Sequence, residues 1–200
     1  MNHALKLALA SLLLACSSMA SAAIYHVDID TTSLEGQGGF VALGLNGLSD
    51  SPWVRALVSQ YRGASLGAVD AGNTFNAVGQ LQTTLKLENT LPNQFTQSVV
   101  FGKKLQFNIE FEGNTAPLGS GTSFAFSLFD QSANALLSND PSGAIVFAEF
   151  TPGQALDFKS LNAAATITPV PEPETYALLG LGLLGLGLQH RRRSNLIKMA

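Results

Sequence analysis

The sequence contains little cysteine, histidine or charge. It has one cysteine, Cys16, and three histidines in 200 residues, and charged residues make up 12%, about half of the usual ~25%. Because Cys16 lies in the apolar N-terminal segment, the rest of the chain has no thiol for a disulfide, a zinc site or a cysteine nucleophile. We therefore expect no cofactor, and stability that comes from packing and hydrogen bonds.

Basic residues are also scarce in the central part of the chain. Between residues 23 and 170 there are six Lys and Arg against twelve Asp and Glu, which gives a net charge of about −6 at neutral pH. Nucleic acids and anionic lipids both bind cationic surfaces. We therefore expect neither of them to be the partner of the central segment.

Apolar runs are confined to the two ends, and the first has the pattern of a secretory signal. Residues 1–22 contain Lys6, an apolar run over 7–16 and the small-x-small site formed by Ala20 and Ala22. This order predicts a signal helix, export through the Sec pathway and cleavage by signal peptidase before Ala23. The run is too short to span ~30 Å of hydrocarbon.

A lipoprotein route is the alternative at this end. Residues 13–16 read Leu-Leu-Ala-Cys and resemble a lipobox, the sequence at which bacterial lipoproteins are cut and acylated on the cysteine. The small-x-small site and the second anchor at the other end both favour ordinary cleavage. Mass spectrometry of the mature N-terminus distinguishes the two routes.

The C-terminal segment has three parts in a fixed order. A Pro-Glu-Pro motif at 171–173 precedes a run at 176–188 that contains only Tyr, Ala, Leu and Gly, and three arginines follow at 191–193. The prolines keep the first part out of a helix. The apolar run predicts a short transmembrane helix over about 176–190, and the arginines hold its end, with residues 194–200, in the cytoplasm.

This order resembles the PEP-CTERM sorting signal, which we place at residues 169–193. The resemblance implies recognition by an exosortase, a membrane protease thought to cut near the motif, in Gram-negative bacteria that make exopolysaccharide and biofilm. By position, the recognition residues would be Pro171, Glu172 and Pro173. The stop-transfer residues would be Arg191, Arg192 and Arg193. Thirteen apolar residues give only ~20 Å of helix, so the flanking side chains must reach the interface or the bilayer must thin.

The central segment, residues 23–168, alternates apolar and polar residues with the period of β-strands. The runs 25–30, 39–45, 81–88, 105–112, 124–128 and 144–150 show this pattern, and Gly-, Asn- and Pro-containing turns separate them. Residues 52–62 fit a helix as well as a strand. We predict an all-β ectodomain, an antiparallel β-sandwich of jelly-roll type.

Two carboxylates form the strongest catalytic candidate. Glu110 and Glu112 are two residues apart on a predicted strand, so both point the same way at ~6.5–7 Å. This separation is compatible with the acid and base of a glycoside hydrolase. The simpler interpretation is that they belong to the solvent face of an amphipathic strand.

Other candidate residues are isolated. Asp28 with Asp30, and Asp130 with Asn139 and Asp140, offer oxygen ligands for calcium, but Asx turns and solvent contacts are the simpler interpretation. His26 is the only histidine of the central segment, and no nucleophile elbow accompanies it. Trp53, the only tryptophan, could stack on a sugar or pack in the core.

These observations predict an exported, non-catalytic protein of the cell surface or extracellular matrix. Its precursor would be anchored in the inner membrane until exosortase acts, and exopolysaccharide is the expected associate. A carbohydrate-binding module is the first alternative, and a glycanase using Glu110 and Glu112 is the second.

Overall fold

The computed structural model describes residues 23–113, 117–170 and 180. The predicted signal helix and the predicted transmembrane helix lie outside these residues. Among the residues that the structure describes, no helix is long and apolar enough to cross a bilayer.

Eleven β-strands make up the described chain, with one 3-10 turn at Thr32–Leu34. The strands are β1 (Ala23–Asp30), β2 (Gly38–Gly47), β3 (Val54–Val69), β4 (Val78–Gly79), β5 (Thr84–Glu88), β6 (Phe95–Gly113), β7 (Thr122–Asp130), β8 (Ala135–Leu136), β9 (Ala144–Phe150), β10 (Asp157–Ser160) and β11 (Ala165–Val170). The prediction of an all-β domain is thus confirmed.

All pairings are antiparallel. The hydrogen-bonded order is β10-β9-β7-β2-β6-β3-β5-β4, while β1 lies between β6 and β11 and β8 pairs with β7. The first half of β6 pairs with β2 and its second half with β1. Since β3 follows β6 along both halves, these two long strands join one continuous sheet that folds over on itself.

The fold-over occurs where β3 has register shifts between Ser59 and Ala64. Gly63 lies at this bend with φ of +97°, a conformation that residues with a Cβ rarely adopt. A Cβ at Gly63 would also lie 1.8 Å from the carbonyl oxygen of Lys104. A glycine is therefore required where β3 crosses β6.

The core lies between the two folded halves. The Phe107 ring of β6 is 4.8 Å from that of Phe126 in β7, measured between centroids, and Phe111 lies 5.1–5.5 Å from Phe124, Phe150 and Phe158. These contacts join strands from opposite halves, an arrangement consistent with a β-sandwich. The jelly-roll connectivity stays a prediction.

The strand predictions agree with the structure apart from their limits. The run predicted from residue 81 begins as a strand only at Thr84, and Leu81 is buried in the preceding turn. The ambiguous segment 52–62 is the start of β3, where Val54, Ala56 and Val58 alternate into the core.

Candidate functional site

The first and last strands of the domain are neighbours, and this brings its two ends together. Ile24 of β1 is opposite Val170 of β11, so the predicted signal cleavage before Ala23 and the Pro-Glu-Pro motif after Val170 lie at the same end. The end of β6 at Gly113 and the start of β3 at Val54 are opposite each other there too. We call this end of the domain, defined by Ala23, Val54, Gly113 and Val170, the exit end.

Strand β11 is an edge strand. It pairs with β1 and, among the described residues, with no other strand. Pro169 is exposed on it and lacks the N–H that another strand would need for pairing, which is the usual position of proline in a sheet. The last two residues before the Pro-Glu-Pro motif are therefore held in the folded sheet.

Glu110 and Glu112 both lie on the outward face of β6, half-exposed, as the alternation predicts. Their neighbours differ. Glu112 forms an ion pair with Arg55, whose guanidinium also lies 5.6 Å from the Trp53 ring centroid. Glu110 is opposite two apolar residues, Leu57 of β3 and Ile24 of β1. Glu112 is thus engaged by a cation, whereas Glu110 forms no ion pair with any residue that the structure describes.

The outward face of β1 is also hydrogen-bonded. His26 Nδ1 lies 2.8 Å from Asn108 Oδ1, so the ring donates to the amide oxygen. The Asp28 carboxylate accepts hydrogen bonds from Lys104 Nζ at 2.8 Å and from Gln106 Nε2 at 2.6 Å. Desolvation opposes ionisation of Asp28, but these donors and the charge of Lys104 outweigh it and lower its pKa.

The remaining predicted calcium ligands form local turns. Asp30 accepts the N–H of Thr32, Asp130 those of Ser132 and Asn134, and Asp140 that of Ser142, all at 2.8–2.9 Å. These are Asx turns, and the local hydrogen bonds explain the positions of the three aspartates without a metal ion. No group of three or more His, Cys, Asp or Glu residues suited to a metal ion occurs within 23–113 and 117–170. Calcium binding stays a prediction from sequence.

These turns predict that the domain loses stability in acid. Side-chain hydrogen bonds from Thr32, Asn73, Asn134 and Ser142 lower the pKa of Asp30, Asp70, Asp130 and Asp140. A lowered folded-state pKa means that the unfolded chain takes up protons first. The stabilisation is therefore complete above the unfolded pKa of ~3.9 and is lost as pH falls through the folded values.

We expect the melting temperature, measured by calorimetry, to be level near pH ~6 and to fall progressively below pH ~4. Asp130→Asn keeps an acceptor oxygen but removes one titrating group, so its melting temperature should depend less on pH. A melting temperature that rises on acidification would contradict the account.

The described domain is all-β, and its last strand, β11, leads directly into the C-terminal segment. A comparison with protein-family profiles identifies the C-terminal segment. A profile described as the PEP-CTERM protein-sorting motif matches residues 169–193. The chain therefore carries a PEP-CTERM sorting motif, which implies an exported protein that is sorted by an exosortase from a precursor anchored through its C-terminal region.

The other comparisons add little. A search of curated proteins found no match. A solved structure titled "PbXyn10C CBM APO" aligns over 81% of this chain and 98% of that chain, with 12% identity and a TM-score of 0.17. That score is too low to support an argument about fold or function.

Sequence reasoning missed strand β11 and the meeting of the two ends. The alternation of Ala165 and Ile167 with exposed Thr166 and Thr168 was a local signal for the strand. The pairing of β11 with β1 joins residues more than a hundred positions apart, and the local sequence carries no signal for it.

Proposed function

We propose that the protein is a non-catalytic component of the cell surface or extracellular matrix that associates with exopolysaccharide after exosortase processing. The observation that carries the proposal is the sorting motif, which begins at Pro169 within the edge strand β11. A protease at the membrane would meet the Pro-Glu-Pro part of the motif, residues 171–173, directly after the last strand. Signal peptidase would remove residues 1–22 at the same end.

The neighbours of the candidate catalytic groups support a non-catalytic role. A glycosidase needs one carboxyl group to donate a proton while the other is free to act as a base or nucleophile. Glu112 is instead paired with Arg55, and His26 is bonded to an amide oxygen rather than to a carboxylate. The outward face of β6 serves as a solvent face in this proposal.

A row of residues with hydroxyl, amide and imidazole groups supports glycan contact. Five strands place these residues side by side on the outward face, namely Thr168, His26, Asn108, Ser59 and Thr84. Neighbouring strands are ~4.8 Å apart, so the row is about 19 Å long. Hydroxyl, amide and imidazole groups are suitable partners for sugar hydroxyls. We call these five residues the polar row.

The test is co-sedimentation of the processed protein with exopolysaccharide from the producing cells. We expect binding, and we expect Asn108→Ala to weaken it by about twofold to tenfold, since one hydrogen bond contributes ~0.5–1.5 kcal/mol net. Asn139→Ala is the matched control, because Asn139 is an exposed asparagine in the loop between β8 and β9 and is not part of the polar row. Wild-type protein that does not sediment with the polysaccharide would contradict the proposed association.

The same sample tests for catalysis through a reducing-sugar assay. We expect wild type and Glu110→Gln to release no reducing ends from this polysaccharide. Release by wild type that Glu110→Gln abolishes would establish the glycanase alternative instead.

A further inference from the structure

Among the described residues at the exit end of the domain, three large apolar side chains are exposed. The exposed fractions are 83% for Leu118, 68% for Leu48 and 39% for Trp53. They lie in two loops, residues 48–53 and 117–121, which we call the exit-end loops. The loops touch each other, since the Ser51 hydroxyl donates to the Gly121 carbonyl at 2.9 Å. Grouped apolar side chains on a protein surface indicate an interaction site.

The backbone beneath these side chains is firmly held. Buried Asn89 accepts the N–H of Val54 at 2.9 Å, and its amide donates to the Pro52 carbonyl and to Thr122 Oγ1, both at 2.7 Å. Each of these three partners lies at the base of an exit-end loop. The hydrogen bonds of Asn89 therefore hold the backbone at the base of both loops in place.

The chain that continues from Val170 limits how far the exit end can lie from the bilayer. The apolar run begins at Tyr176, six residues after Val170. Even fully extended, this connection spans at most about 22 Å. Because β11 ends at the exit end, this connection holds the exit end, rather than the opposite end of the domain, next to the start of the apolar run.

The charges at this end favour apolar contact over electrostatic attraction. Arg55 is paired with Glu112. The exposed acid Asp50 lies within the first loop, between Leu48 and Trp53, and exposed Glu149 of β9 is opposite Ser123. Such a surface gains nothing from anionic lipid. Tryptophan and leucine are, by contrast, suited to the boundary between head groups and acyl chains.

We propose that the exit-end loops rest on the lipid surface in the anchored precursor, with Leu48, Trp53 and Leu118 inserted at the interface. The inference rests on the proposed role of the C-terminal segment as a membrane hook. In this arrangement the sorting motif lies at the bilayer surface in a fixed orientation. The polar row lies on the outward face of the strands and not at the end of the domain that contacts the membrane.

Trp53 provides a direct test because it is the only tryptophan in the chain. The full chain is reconstituted in phosphatidylcholine vesicles, and flotation establishes that it is anchored. We expect Trp53 fluorescence to be quenched by phosphatidylcholine brominated near the head-group end of the acyl chain, and much less by lipid brominated near the methyl end. Leu48→Ser combined with Leu118→Ser should remove most of this quenching.

Val100→Ser is the matched control, since Val100 is 48% exposed and pairs with Gly38 near the opposite end of the domain; it should leave quenching unchanged. A chain that does not float would contradict both the hook and this inference. A chain that floats with unquenched Trp53 would overturn this inference alone. The emission of Trp53 is also measured without lipid at several protein concentrations. An emission wavelength that shifts with protein concentration would show that a second copy of the chain covers the loops, which would also overturn this inference.

Discussion

Replacing Pro171, Glu172 and Pro173 together with alanine is expected to leave the precursor uncut in cells that contain the matching exosortase. The two prolines keep the backbone extended and exclude it from the predicted helix that follows. Alanine, the strongest helix former, would let that helix extend towards the domain and withdraw the cleavage segment. Loss of processing should be nearly complete, as measured by the size of the chain on immunoblots and its retention in the membrane fraction.

Pro141→Ala is the control for this variant, because Pro141 lies in an exposed turn between β8 and β9. It should be processed like wild type. The triple variant should also keep the wild-type melting temperature, since the three residues follow the last strand of the domain. Normal processing of the triple variant would show that the motif is not what the protease recognises.

The second large effect is expected in the core. Phe111→Ala should lower the free energy of unfolding by about 3–5 kcal/mol, the range for removal of a buried aromatic ring. The Phe111 ring lies 5.1–6.3 Å from four other rings, those of Tyr25, Phe124, Phe150 and Phe158. The total free energy of unfolding of a typical domain is only about 5–15 kcal/mol. The variant should therefore be partly unfolded at moderate denaturant concentrations.

Chemical denaturation followed by circular dichroism measures this loss. Phe75→Ala is the matched control, because the Phe75 side chain is 46% exposed. This substitution should lower the free energy of unfolding by about 1 kcal/mol or less. Equal costs for the two variants would mean that the two halves of the sheet do not pack through Phe111.

The local alternation of apolar and polar residues was enough to predict the strands that have one solvent-exposed face and one buried face. The second half of β6 is an example, because Leu105, Phe107 and Ile109 alternate regularly with polar residues. The first half was missed because Gln97 is buried with the apolar residues. Its amide donates to the Gly67 carbonyl at 2.8 Å, and that partner lies on another strand, where a local pattern carries no information about it.

The candidate site divides in the same way. The sorting segment could be predicted because its function depends on the order of motif, apolar run and basic cluster along the chain. The exit end could not, because it depends on the pairing of β1 with β11 and on the contact between two loops. Trp53 shows the difference, since its sequence position was compatible with both core and surface and only the fold placed it at the exit end.

We propose that exosortase processing releases or transfers the folded domain from a temporary C-terminal hook. The most direct measurement is the intact mass of the protein recovered from cells with the exosortase and from matched cells without it. We expect a chain that starts at Ala23 and ends near the Pro-Glu-Pro motif in the first case, and one that still carries Arg191, Arg192 and Arg193 in the second. A chain that retains the arginines in both would contradict the account.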